Sequence, residues 1–282
     1  MKKEYDERID QHYKDVAKEH GLSSNSTMVD EITRALETDA IIQFVGESLR
    51  IQQREGSSER AIIMDAGCGN GYTLEVLSHK YPGHNYVGIE KSDELRSLVS
   101  SRFEGNNNVK ILEGDIRERD FAKGIRADIL ICQRVLINLL EIEDQKHALN
   151  NIVNTVNSPS VWRSGGTLLF SESFIGPLKR LNDARSEFDL PPIPPADHNL
   201  YLPDDFFEMP QLKPLKTDGL LTPPNFLSTH YYVTRVLHPI FTKNKPVKRN
   251  SEFTRFFSHA LKQNAGDYSP LKLFMYKKSE EA

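Results

Sequence analysis

Apolar positions in this chain follow two alternating rhythms. Short, nearly continuous apolar runs fall at 61–65, Tyr86–Glu90, Val109–Leu112, Ala127–Gln133 and Thr167–Ser171. Between them, apolar residues recur every third or fourth position, over 72–81, Ser92–Phe103 and 139–156. The first kind predicts strands buried on both faces and the second predicts amphipathic helices. Ser92, followed by Asp93 and Glu94, has the makings of a helix cap, and Pro82-Gly83 ends the helix before it. Strand–helix alternation of this kind predicts a parallel sheet covered on both sides.

Both flanks of the alternating region differ from it. Tyr5 to His20 reads as a polar helix. Val29, Ile32, Leu36, Ile41, Val45 and Leu49 mark a second helix, with Ser26 or Thr27 as its expected cap. Residues 1–58 are therefore expected to form a helical lid, and 59–282 the main domain. From 172 to 227 the rhythm fails in a proline-rich insert, whose Phe174, Phe188, Tyr201, Phe206, Phe207 and Phe226 predict an ordered, packed segment. Further strands are expected at Ser228–Leu237 and at about Leu271–Tyr276.

Composition narrows the function classes. A net charge of −4 is unlike a general nucleic-acid binder. The only two cysteines, Cys68 in a glycine turn and Cys132 in an apolar run, are expected to be reduced thiols, which points to a cytoplasmic setting. No apolar run approaches the roughly 18–20 residues of a membrane span, the charged start Met1–Asp15 does not read as a signal peptide, and no membrane partner is expected. No His/Cys/Asp spacing predicts a metal site.

The chemistry begins at Asp65-Ala66-Gly67-Cys68-Gly69-Asn70-Gly71, a glycine-rich turn between an apolar strand and a helix start. Glycines let such a turn approach a ligand closely, and the helix N-terminus offers free N–H groups. Tyr72 stands where the third glycine of a dinucleotide fingerprint would fall, so pyrophosphate binding is disfavoured. Glu90 ends the second strand, 19 residues after Gly71, where an acid can accept ribose hydroxyls. Glu113-Gly114-Asp115-Ile116 follows the third strand and Gln133-Arg134 ends the fourth. Ligands of open α/β sheets bind at these strand tips.

Over about 60–172 plus the last strands, this constellation resembles the class I S-adenosylmethionine-dependent methyltransferases. The resemblance implies an α/β fold with a Rossmann-like seven-stranded sheet, mostly parallel with an antiparallel last strand. It also implies S-adenosylmethionine as cofactor and S-adenosylhomocysteine as product. Carried over by position, Asp65, Gly67, Cys68, Gly69, Asn70 and Gly71 would line the methionine part. Glu90 would hold the ribose, Asp115 and Ile116 the adenine, and Gln133 or Arg134 would face the sulfonium. Gln133-Arg134-Val135-Leu136 differs from the Pro-Pro-aromatic pattern of many amino-methylating nucleic-acid enzymes. Two segments, Ser26–Asp30 with Arg34 and Glu37, and Leu181–Arg185 through Leu190–Pro194 to His198–Tyr201, resemble a bacterial subset linked to glycan and small-molecule pathways.

A small polar acceptor, sugar-like or phosphorylated, is thus expected, methylated on oxygen. Arg134, Lys179, Arg180 and Arg185 are candidates to hold an anionic acceptor, with Tyr201 beside them. His198 is the first candidate base, with Asp197 to orient it, followed by His230 and Tyr231. Lys243, Lys245, Lys248 and Arg249 form a basic cluster that could touch an anionic partner. Methylation of RNA or protein, and cofactor binding without transfer, are the alternative readings.

Overall fold

The computed structural model describes residues 5–23, 30–55, 60–158, 165–219, 221–243, 245, 251–261 and 264–279. Its centre is one seven-stranded sheet of order β3-β2-β1-β4-β5-β7-β6. The strands are β1 (Ile62–Ala66), β2 (Asn85–Glu90), β3 (Val109–Glu113), β4 (Ile129–Gln133), β5 (Thr167–Ser173), β6 (Leu212–Pro214) and β7 (Leu271–Lys278). The first five are parallel, and β7 runs antiparallel between β5 and β6. This is the expected Rossmann-like α/β sheet, mostly parallel with an antiparallel last strand.

Alternate residues of each central strand point to opposite faces, so the sheet supports two cores. Met64, Leu130, Leu168 and Phe170 pack with Leu149 and Ile152 of α5 (Ile142–Thr155) on one side. Ile63, Ile129, Ile131 and Leu169 pack on the other with Ile41 and Phe44 of α2 (Glu31–Arg54) and Leu74 and Leu77 of α3 (Tyr72–Lys80). Helix α4 (Asp93–Arg102) adds Val99 there, and Ser92 caps it as expected, accepting from the Leu95 N–H. The strand order reverses between β1 and β4, which opens a crevice at their C-terminal tips.

Three expectations need correction. The α2 cap is Asp30, whose carboxylate accepts from the Thr33 N–H; Ser26 and Thr27 lie outside the described residues. Ser228–Leu237 is not a strand. It is helical: α7 (Ser228–Tyr232), a π-turn at Val233–Leu237, and α8 (His238–Phe241) run on as one segment. Its β-branched and aromatic residues favour a strand by propensity, but burial decides. Ser228, His230, Val233, Thr234 and Val236 are its buried positions, with His230, Val233 and Thr234 at helical spacing, and Val236 packs on Leu181 and Ala184 of α6 (Ile175–Ser186). The seventh strand comes instead from the insert, as the short edge strand β6. Within the insert Phe174, Phe206, Phe207 and Phe226 are buried as predicted, while Phe188 is exposed. Finally, α1 (Asp6–His20) lies across the strand tips, and α9 (Glu252–Ala260) packs on α7 and the π-turn.

Candidate active site

The crevice is a cleft of about 680 Å³. Its floor begins at the glycine turn. The Gly67 and Cys68 N–H groups both donate to the Ile89 carbonyl at 2.9 Å, fastening the turn to β2. Gly67, Gly69 and Gly71 all have left-handed backbone (φ 85°, 56° and 81°). Gly67, Cys68, Gly69 and Asn70 line the cleft, but Gly71 does not. A Cβ on Gly71 would stand 2.5 Å from a Val99 methyl, so this glycine serves the close approach of the turn to α4. Cys68 and Cys132 are both buried free thiols, their pKa values pushed well up by burial, which makes them poor nucleophiles.

Two acids sit side by side at the tips of β1 and β2. Glu90 accepts from the Gly69 N–H at 2.9 Å and the Ser92 N–H at 2.8 Å, and burial raises its pKa. Asp65 is 2% exposed, and burial, then the charge of Glu90, pushes its pKa up to about 7. Its Oδ1 has no hydrogen-bond partner, and neither does Nε2 of Gln133, whose Oε1 accepts from Thr73. Buried polar atoms are normally satisfied, so both mark places where a polar ligand fits.

At the tip of β3, Asp115 and Ile116 also line the cleft. Arg117 grips both oxygens of Asp115, lowering its pKa against the effect of burial. Helix α1 joins the same network. Arg117 reaches Asp6 at 3.1 Å, Lys91 reaches Asp6 at 3.4 Å, and Tyr5 donates to Asp144 at 2.5 Å.

The far end of the cleft holds Arg134, with backbone in the left-handed region at φ 56°. A bulky residue there is strained, and such strain is kept only where the surroundings over-determine it. The cause is Glu172, fully buried at the end of β5. Its carboxylate accepts from the Val135, Leu136 and Ile137 N–H groups at 2.9, 3.0 and 3.4 Å, while the Arg134 N–H donates to the Ser171 carbonyl. Burial raises the Glu172 pKa to about 7. Sequence reading missed this residue, although an acid closing a wholly buried strand was the available signal.

Arg34 of α2 enters the cleft near Arg134, its guanidinium 5.1 Å from the Tyr72 ring centre. Burial and the charge of Arg134 lower its pKa to about 10. Glu37 lies 3.7 Å from Arg134 and accepts from Ser171. Tyr13, Asn138, Ser173, Tyr201, Tyr231 and His198 complete this end. His198 is stacked on His12 of α1, ring centres 4.0 Å apart, and burial, then His12, lowers its pKa.

The other expected acceptor residues lie elsewhere. Arg180 is on the surface, paired with Asp267 at 2.5 Å. Arg185 is buried but turned inward to the carbonyls of Pro191 and Arg235, bracing the π-turn. His230 packs beside Asp30, 3.9 Å away, because the helical form of this segment points its neighbour Tyr231 into the cleft instead. Lys179 and Asp197 are exposed and do not line the cleft. Sequence reading missed Tyr5, Asp6, His12 and Tyr13 as cleft residues, and it named Arg34 only as part of a motif.

Residues 63–158 match the family model described as "Methyltransferase domain". A 59-residue stretch is 34% identical to the ribosomal RNA small subunit methyltransferase H of Coprothermobacter proteolyticus; it spans 21% of this chain and 20% of that relative's length. Among solved structures, magnesium protoporphyrin IX methyltransferase of Synechocystis, with bound S-adenosylhomocysteine, superposes over 98% of this chain and 96% of its own (12% identity, TM-score 0.48). The N-methyltransferase NodS of Bradyrhizobium japonicum covers 60% of this chain and 76% of its own (18% identity, TM-score 0.43). Residues 63–158 thus carry a methyltransferase domain.

Proposed function

We propose that this protein moves the methyl group of S-adenosylmethionine to an oxygen of a small polar, anionic acceptor, and that residues 1–58 act as a lid on the domain 59–282. The observation that carries this reading is the continuity of one cleft. Asp65, Glu90 and Asp115, from three strands, open into the same space as Arg134, His198 and Tyr201.

When bound, S-adenosylmethionine supplies an electrophilic methyl group on a positively charged sulfur. Asp65 would receive its ammonium through the partnerless Oδ1, beside Gly67, Cys68, Gly69 and Asn70. Glu90 would take the ribose hydroxyls with lone pairs left over from Gly69 and Ser92. Ile116 would pack on the adenine, and Asp115 would share its carboxylate between the adenine amino group and Arg117. Gln133 stands between this half of the cleft and the acceptor half.

Arg134, supported by Arg34, makes the acceptor end attractive to a carboxylate or phosphate. Tyr13, Tyr201 and Tyr231 supply walls and hydroxyls. His198, neutral at pH 7 because its pKa is lowered, would take the proton of an acceptor hydroxyl. Positioning supplies most of the rate, because two bound reactants need only meet in line.

Calorimetry with S-adenosylmethionine and S-adenosylhomocysteine tests the cofactor half. Glu90→Ala should weaken binding about tenfold to a hundredfold, the worth of charged hydrogen bonds of about 1.5–3 kcal/mol. Transfer of radiolabelled methyl into a low-molecular-weight cell extract, total RNA or total protein tests the acceptor half. Label in RNA would favour the reading to which the 59-residue likeness lends some weight. Binding with no transfer to any fraction would leave a cofactor-binding module.

A further inference from the structure

Away from the cleft, α8 and α9 carry aromatic rings that the fold does not bury. Phe241 is 68% exposed, Phe256 is 66% exposed and Leu261 is 42% exposed. The rings are continuous. Phe241 touches Phe253 at 6.1 Å between centres, Phe253 touches Phe257 at 4.7 Å, and Phe257 touches Phe256 at 5.1 Å. Phe253, Phe256, Phe257 and Ala260 fall on one stripe of α9, which Ser251 caps by accepting from the Thr254 N–H. Single exposed apolar residues need no explanation, but a connected aromatic patch does.

The charge along this stretch of sequence is equally distinctive. Residues 241–262 contain six Lys or Arg and one acid, in a chain whose net charge is −4. Of these, Lys243, Lys245 and Arg255 are among the described residues, and all three are exposed. Large apolar rings flanked by cations, on a short helix with a strong polar–apolar division, are what an anionic lipid surface recognises. The rings enter the headgroup boundary and the cations meet the phosphates. Single-stranded RNA would be expected to use a groove with stacking platforms along it.

We infer that α8 and α9 form a docking face for an anionic membrane surface. The expectation of no membrane partner rested on the missing spanning run, and no described helix is long and apolar enough to cross a membrane. A nine-residue helix lying in the interface leaves no such run, so both statements hold together. This face is independent of the proposed transfer reaction, because none of its residues lines the cleft.

Co-sedimentation of the full chain with vesicles tests it. Vesicles of equimolar phosphatidylcholine and phosphatidylglycerol should pellet the protein, and pure phosphatidylcholine should not. Raising salt should release it, because the cations act within a Debye length. Phe241→Glu with Phe256→Glu should weaken pelleting at least about tenfold, as should Lys243→Glu with Lys245→Glu. Because these side chains are exposed, the variants should melt and bind S-adenosylhomocysteine as the parent does. Failure to pellet would overturn the inference, as would equal pelleting with neutral vesicles. So would patch-dependent self-association in gel filtration, or RNA binding abolished by the same substitutions.

Discussion

Replacing Asp65 by Asn should make the free protein more stable and the cofactor site worse, and both effects should depend on pH. The side chain is 2% exposed, and its pKa stands at about 7 against an ordinary 3.8. Each tenfold change in proton affinity is worth about 1.4 kcal/mol, so the ionised carboxylate costs folding about 4 kcal/mol. The native state keeps its proton where the unfolded chain has lost it, between about pH 4 and 7. Stability therefore falls as pH rises through that window, and the whole cost is felt above pH 7. An amide of the same shape carries no charge to desolvate. Urea unfolding of Asp65→Asn and the parent should show a gap in favour of the variant that widens by about 3 kcal/mol between pH 5 and pH 8. Glu172, also raised to about 7, contributes equally to both proteins and drops out of the difference. Binding should run the other way. An ammonium beside Asp65 favours the carboxylate, so affinity for S-adenosylmethionine should climb up to about tenfold per pH unit towards pH 7 and then level off. The variant should bind weakly at every pH. Parallel unfolding curves, or an affinity indifferent to pH in the parent, would refute the placement of this acid at the centre of the cofactor site.

Glu172→Ala removes the acceptor of three N–H groups, two of them in buried bonds, and should cost at least about 2 kcal/mol. It should also release the strained backbone of Arg134, so that label transfer falls while cofactor affinity in calorimetry stays within about twofold. Gly71→Ala forces a Cβ into Val99 from a left-handed backbone, and thermal melting should register a loss of about 2–4 kcal/mol. His12 and His198 both have lowered pKa values in the packed structure. Their contribution to holding α1 against the insert is present above about pH 6.5 and is lost as pH falls through their depressed values. Protection of the α1 amides, taken relative to their intrinsic exchange rates at each pH, should therefore be lower at pH 5.5 than at pH 7.5, and His12→Gln should remove part of that difference.

The cofactor half of the cleft was far more legible in sequence than the acceptor half, and the geometry explains why. Asp65, Glu90 and Asp115 each stand at or just past the end of an apolar strand. A parallel sheet then brings strand ends together without further instruction. Local pattern was enough there, and the strands β1 to β5 lie within two residues of their predicted limits, as does α4 with its Ser92 cap. The acceptor half has no such local rule. Tyr13 meets Asn138 from 125 residues away, and His12 stacks on His198 of the insert. Tyr231 reaches the cleft only because Ser228–Leu237 is helical, and that was settled by burial against α6 rather than by the preference of its β-branched residues. Arg180 and Arg185 lie away from the cleft for the same reason: packing, not chain position, aims a basic side chain, and one pairs at the surface while the other braces a π-turn. Of the predicted acceptor cations Arg134, Lys179, Arg180 and Arg185, it is Arg134 that lines the cleft. It follows directly after a strand, where position along the chain and position in space still coincide. On the proposed function, acceptor recognition lies where α1, the insert and α7 converge, and substitutions there should change the acceptor before they change the cofactor.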